Sequence, residues 1–267
     1  MRLDVVIPAH NEEARIDRTL RVYRSMLGGP DVRFRVALDH CTDRTAEVTA
    51  RHAAEDERVE VYDYPKLGKG GVVMETFRRC DAEVIGFVDA DCSTPPGEFL
   101  RLVEVVERDG VDLAIASRGH PSAVVPRRRA ASRYVTSQLF RVLVRRLFHL
   151  PFHDTQCGAK VARRRTLESL LPVLSSRDFL FDVDLLVAAD RMGFEVAEVP
   201  TIWIDQAGSK LHPVADATRM AASSLRLWIH HRLLPFPEPG KASPGGEPLV
   251  IDLRDGAAPA EVLDGVG

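Results

Sequence analysis

The four cysteines, Cys41, Cys80, Cys92 and Cys157, form no C-x-x-C pair. That spacing argues against a zinc site or a disulfide framework and fits a reducing compartment. The chain also lacks any uninterrupted apolar run of the ~18 residues that a membrane-spanning helix requires. The apolar stretch in "MRLDVVIPAHNEE" is too short for a secretory signal. A cytoplasmic protein is expected, soluble or at most peripheral at the inner face of the membrane. Two common phosphate-binding loops are missing: there is no G-x-x-x-x-G-K-[ST], and no G-x-G-x-x-G after the first strand. Internal repeats are absent. One region has no acid at all: from Arg118 to His153 there are eight arginines and no Asp or Glu, against a formal net charge of only −3 for the whole chain. Those arginines are not interleaved with aromatics and no recognition motif accompanies them, so nucleic acid is not an expected partner.

With 267 residues and 45% hydrophobic composition, the chain can bury one large core. Short β-branched runs alternate with helical patterns, which predicts an α/β fold with a mostly parallel sheet flanked by helices. Expected strands are Leu3–Ile7, Arg33–Leu38, Val59–Tyr62, Glu83–Val88 and Val111–Ala116. Expected helices are Glu12–Met26, Thr42–Ala54 capped by Thr42, Gly70–Cys80, and Pro96–Arg108 opened by Pro95-Pro96. A long basic helix follows at about 128–148. The helix "FDVDLLVAADRMG", with Gly193 as its C-terminal stop, then precedes the strand "FEVAEVP". The expected organisation is a catalytic domain over 1–212, a C-terminal amphipathic helix over 213–236, and a disordered tail over 237–267 relieved only by "LVIDL".

Ligands of open parallel sheets bind at the carboxyl ends of the strands. Here each predicted strand end delivers polar groups: "IPAHNEE", "LDHCTDRT", "KLGKGG", "VDADCS" and "SR". Asp89 and Asp91 stand at i and i+2, so both carboxylates can converge on one hard cation, Mg²⁺ or Mn²⁺, that keeps waters and takes phosphate oxygens. The competing reading is that the pair caps the helix beginning near Pro95. "GKGG" (Gly68–Gly71) can bring backbone N–H groups and Lys69 to a phosphate; a solvated loop is the alternative.

Together these segments resemble the family 2 glycosyltransferases of GT-A fold, and within them the polyprenyl- and dolichyl-phosphate sugar synthases. The resemblance rests on "VVIPAHNEE", "LDHCTDRTAEV", "GKGG", "GFVDADCS", "SR", "RRRAASR", "DTQCGAK", "FDVDLLVAADRMGFEVAEVP" and "GSKL", which occur in the family's order. It implies an inverting, metal-dependent transfer of a hexose from a nucleoside-diphosphate sugar to a polyprenyl phosphate. Pro8, Glu12 and Asp39 would hold base and ribose with Lys69 nearby, and Asp89 and Asp91 the Mg²⁺ or Mn²⁺ on the donor diphosphate. Gln156 would line the sugar pocket together with Asp154, with Asp182 behind. Arg118, Arg128 and Ser132 would hold the acceptor phosphate, and Lys210 would clamp phosphate. Asp91, Asp154 and Asp182 are the catalytic candidates; an alcohol acceptor would need Asp154 or Asp182 as base, whereas a phosphate oxygen is already anionic. The "DTQCG" form is closer to glucosyl-type members, which favours UDP-glucose. Against the family's common D-D-G-S, this chain has Leu38-Asp39-His40-Cys41, with one carboxylate, and Ser93 stands where some relatives place a third metal ligand.

Three other readings compete. The same fold and donor could serve a soluble small-molecule acceptor. A non-catalytic nucleotide-sugar binding protein would not need the metal pair. A sugar nucleotidyltransferase would need a G-x-G-T-R segment where "IPAHNEE" stands. The basic helix could lay Leu139, Phe140, Leu143, Leu147 and Phe148 into an anionic membrane surface, and the last helix Trp228, Leu233 and Phe236; ordinary core packing is the equal alternative for both.

Overall fold

The computed structural model describes residues 1–126, 131–206, 213–233 and 249–250; for 131–139, 213–219 and 249–250 it describes backbone only. The sheet is built outward from β1 (Leu3–Ala9), whose run, apolar except for Asp4, pairs in parallel with β2 (Val32–Asp39) on one side and β4 (Val84–Val88) on the other. Strands buried on both faces need such runs, because helices cover each side. β3 (Val59–Tyr64) extends the parallel edge beyond β2. On the other flank β6 (Ala159–Arg163) runs antiparallel between β4 and β5 (Leu113–Ser117). β7 (Val196–Pro200) and the two-residue β8 (Leu249–Val250) complete the order β3-β2-β1-β4-β6-β5-β7-β8.

Alternate strand residues feed two cores. Val5, Ile7, Val84 and Val88 pack under α1 (Ile16–Met26), α2 (Thr45–Glu55) and α4 (Pro96–Arg108). Val6, Ile85 and Phe87 face α3 (Lys69–Phe77), α5 (Ala131–Phe148), α6 (Arg164–Leu170), α7 (Phe181–Arg191) and α8 (Pro213–Leu233). The result is the GT-A type of single α/β domain: a mostly parallel sheet between two helical layers.

The predicted strands and helices are all present, with ends shifted by a few residues. α4 starts at Pro96 with Pro95 in the cap position, as expected. α7 ends in a Schellman arrangement: Gly193, at φ 70°, donates to Asp190 O and Phe194 donates to Ala189 O. Thr42, however, does not cap α2. Its N–H donates to Asn11 Oδ1, and the Asp43 carboxylate accepts the Thr45 N–H at the start of the helix instead. Neither β6 nor α6 was expected. In the part of α5 whose side chains are described, Val144 is buried and Phe140 and Phe148 pack against the core, while Val142 is exposed; the side chain of Leu139 lies outside the described residues.

Candidate active site

β1 and β2 deliver the first cluster. Asn11 Oδ1 accepts the N–H groups of Thr42 and Asp43, so the two loops after these strands are tied together. Pro8 is half-buried on β1 in register with Ala37, and the Glu12 carboxylate pairs with Arg15. Asp39, at the tip of β2 and only 7% exposed, accepts from Leu67 N at 2.7 Å and Gly68 N at 3.1 Å. Asn11, His40 and Cys92 all adopt left-handed φ between 51° and 56°, each just beyond a parallel strand. Such backbone is unusual outside glycine and gathers at functional rims. His40 stands at the glycine position of D-D-G-S.

The glycines of "GKGG" serve packing. A Cβ on Gly68 would lie 2.4 Å from Arg177 O, and one on Gly70 2.5 Å from Phe181 Cβ and Ser176 O. The Gly68 N–H is taken by Asp39 and the Gly71 N–H by Arg177 O. This loop is thus neither solvated nor open at those two amides to a phosphate.

Asp89 and Asp91 follow β4. Asp91 accepts the Ser93 N–H at 2.9 Å, and no side chain caps α4, so the pair is not a helix cap. The Asp89 carboxylate lies over Gly158, where a Cβ would be 1.9 Å from Oδ2. Lys69 Nζ sits 2.9 Å from Asp89 Oδ1 and 3.2 Å from Asp182 Oδ2, and the buried Lys160 Nζ reaches the other oxygen of Asp182 at 2.5 Å. Burial raises the Asp89 carboxyl above the ordinary value; Lys69 opposes this, while Asp91 and Asp182 add to it. For Asp182 burial also acts upward, but Lys160 and then Lys69 prevail and lower it. Lys69 stays charged and above the usual lysine value, since Asp182 and then Asp89 outweigh its desolvation. Among the described residues no three His, Cys, Asp or Glu side chains group as a metal site. Two carboxylates at one strand end nevertheless suit Mg²⁺ or Mn²⁺, which dehydrate reluctantly, keep waters and need few protein ligands.

A third cluster joins β5, β6 and β7. Asp154, 2% exposed, receives Arg118 Nε at 2.6 Å, Arg118 Nη2 at 3.0 Å and the backbone N–H groups of Arg118 and Gln156. Burial would raise its carboxyl, but the Arg118 guanidinium overrides burial and holds it at about 2. The guanidinium stacks on buried Trp203, 4.7 Å from the ring centroid, which places Trp203 under Arg118. Glu198, fully buried on β7, accepts the N–H groups of His153 and Asp154 together with His153 Nδ1. Cys157 is buried, and burial pushes its thiol up to about 12.

Asp89, Asp91, Lys69 and Asp182 thus come together, as do Arg118, Asp154 and Gln156, while Pro8, Glu12 and Asp39 lie on the neighbouring strand ends. Arg128 and Lys210 fall outside the described residues, as does the side chain of Ser132. Lys160, Glu198 and the space over Gly158 were not anticipated. Lys160 and Gly158 lie inside "DTQCGAK" and Glu198 inside "AEVP", so the only signal for them was membership of those segments.

Comparison with known proteins gives the family and the fold. Residues 4–171 match the family described as glycosyl transferase family 2. The chain belongs to family 2 of the glycosyltransferases. It is 34% identical over 233 residues to glycosyltransferase AglD of Haloferax volcanii, covering 85% of this chain but only 37% of that protein. It is 29% identical over 250 residues to a Drosophila melanogaster dolichyl-phosphate beta-glucosyltransferase, spanning 86% of this chain and 76% of the relative. A polyprenol monophosphomannose synthase of Mycolicibacterium smegmatis is 33% identical over 208 residues, 76% of this chain and 77% of the relative. In fold the enzyme is similar to glucosyl-3-phosphoglycerate synthase of Mycobacterium tuberculosis, solved with Mn²⁺ and uridine diphosphate. That likeness has a TM-score of 0.64 at 18% identity over 88% of this chain and 81% of that one. Among the described residues, no helix of this glycosyltransferase is long and apolar enough to cross a membrane.

Proposed function

We propose that this glycosyltransferase moves a hexose, with inversion, from a UDP-sugar of the glucose type to a polyprenyl phosphate. One observation carries the choice of acceptor. The two carboxylates that could serve as a base, Asp154 and Asp182, are both held ionised in buried ion pairs with Arg118 and with Lys160 and Lys69. Neither is a good proton acceptor, so an alcohol would lack a general base there. An acceptor phosphate needs none, because its oxygen is already anionic.

In this reading Pro8, Glu12 and Asp39 take the nucleoside, and Asp89 and Asp91 hold Mg²⁺ or Mn²⁺. The ion supplies charge that offsets the departing diphosphate. Arg118 is pre-aimed by Asp154 and Trp203. Its Nη1 has no hydrogen-bond partner among the described residues and is left to donate to the acceptor phosphate. Among the described residues, buried Thr94 Oγ1 and Trp203 Nε1 have no hydrogen-bond partner, and both lie on loops of this rim. The bond from the anomeric carbon to the diphosphate breaks as the phosphate oxygen forms its own bond on the opposite face. The names of the dolichyl- and polyprenol-linked relatives support the acceptor class. Peripheral membrane contact is supported by Leu225, Ile229 and Leu233, exposed at successive turns of α8 beside exposed Arg226 and Arg232.

The test is UDP release by the purified protein with Mn²⁺ over a panel of UDP- and GDP-sugars, with and without a short polyprenyl phosphate. Release stimulated by the lipid and lost in Asp91→Ala supports the proposal. Release stimulated only by a phosphorylated small molecule would replace the lipid with a soluble acceptor.

A further inference from the structure

Lys69 joins two carboxylates of unlike exposure. The side chain of Asp89 is 34% exposed, whereas that of Asp182 is 3% exposed. Asp182 is fixed from behind by Lys160, which also donates to Cys157 O at 2.9 Å and is itself buried. Both ammonium groups lie against the ring of Phe87, at 5.2 Å and 5.4 Å from its centroid. Asp182 can therefore keep hold of Lys69 if Asp89 is taken away.

Resting on the donor reading above, we propose that Lys69 is a placeholder cation: it neutralises Asp89 in the free protein and yields that carboxylate when a divalent cation arrives with a nucleoside diphosphate. Three observations converge on this. Asp89 and Asp91 are close like charges that need a cation between ligand-binding events. Among the described residues no third carboxylate, thiol or imidazole groups with the pair, and one of its two carboxylates is already engaged by the ammonium, so an arriving cation competes with Lys69 for Asp89. The diphosphate brings further oxygens to the cation and gives Lys69 a new anion. A lysine has three donors on a flexible stem, so it can turn to phosphate without leaving Asp182. No bond to carbon or phosphorus changes; one ion pair is exchanged for another.

The exchange predicts shifts of opposite sign in one variant of the full chain. Binding of Mn²⁺ alone, followed by the loss of its free-ion electron paramagnetic resonance signal, is expected to tighten on the order of tenfold in Lys69→Met, because a nearby positive charge is gone. Binding of UDP at saturating Mn²⁺ is expected to weaken on the order of tenfold in the same variant, because a phosphate contact is lost. General damage to the site would weaken both. Lys69→Arg, which keeps the charge, should follow the wild type in the Mn²⁺ step. If Lys69→Met does not fold, Asp182→Asn decides: with its second partner neutral, Lys69 turns wholly to Asp89 and Mn²⁺ alone binds more weakly. Unchanged or weaker Mn²⁺ binding in a folded Lys69→Met, or undiminished binding in Asp182→Asn, overturns the exchange while leaving the donor reading intact. A wild-type protein that takes up no UDP with Mn²⁺ overturns the donor reading, and the exchange with it.

Discussion

An alanine at position 158 would place its Cβ 1.9 Å from Asp89 Oδ2, 2.3 Å from Cγ and 3.0 Å from Oδ1. No real Cβ tolerates the first two distances, so the carboxylate must swing away by more than an ångström. The backbone need not follow, because the Asp89 N–H to Gly158 O bond at 2.9 Å does not involve the new methyl. What is lost is the 2.9 Å contact with Lys69 and, on the proposed function, the seat of one metal ligand. Since Asp89 is partly exposed, its displaced carboxylate reaches water, and the stability cost should stay near 1–2 kcal/mol. The catalytic cost should be far larger, about 100-fold in rate, because a misplacement of this size at a positioning group typically has that effect. Two curves check this: initial rate against Mn²⁺ concentration, and thermal unfolding. The expected Gly158→Ala protein melts within a few degrees of wild type yet needs much more Mn²⁺ for half-maximal rate. Wild-type rate and metal dependence in this variant would refute the claim that Asp89 acts from its place over Gly158.

Other perturbations reach the rest of the rim. Glu198→Gln removes a carboxylate that serves two backbone N–H groups and the His153 ring; it should cost about 2–3 kcal/mol by chemical denaturation and lower kcat through a displaced Asp154. Lys160→Met leaves Asp182 with Lys69 alone, and loss of a buried ion-pair partner should cost about 3–5 kcal/mol in calorimetry. The carboxyl of Asp154 is held at about 2, below its unfolded value. Its contribution to stability is therefore complete above about pH 4 and is lost as pH falls toward 2. Asp154→Asn should flatten that part of the stability curve, measured by urea unfolding at stepped pH, and leave the profile above pH 5 unchanged in shape.

Much of the architecture was legible because its signals are local. The run Val84–Val88 is apolar at every position but its glycine, and Pro95-Pro96 marks the start of α4 to the residue. Strand-end residues such as Asp39, Asp89 and Arg118 could be gathered onto one rim because parallel strands put their carboxyl ends on the same side. The segment Ala159–Arg163 was missed because Lys160, its second residue, and the terminal arginine break the apolar pattern. Lys160 is nevertheless buried, since Asp182, seven-tenths of the way along the chain, neutralises it from another element. Long-range pairing of that kind leaves no trace in spacing. The same holds for Gly68 and Gly70, whose lack of a Cβ admits the chain at 176–178. Thr42 has the right residue type for a cap, but Asn11, brought in from the neighbouring loop, engages it first.

The proposed reaction at this rim is transfer of a hexose to a lipid-linked phosphate. The most direct measurement is incorporation of radiolabelled sugar from UDP-glucose into an organic-extractable product by the purified protein, with Mn²⁺ and a short polyprenyl phosphate. Label is expected in a mild-acid-labile lipid, dependent on the phosphate of the acceptor and absent from Asp91→Ala and Arg118→Ala. Label that appears with the unphosphorylated polyprenol, or that survives in both variants, would contradict that reaction.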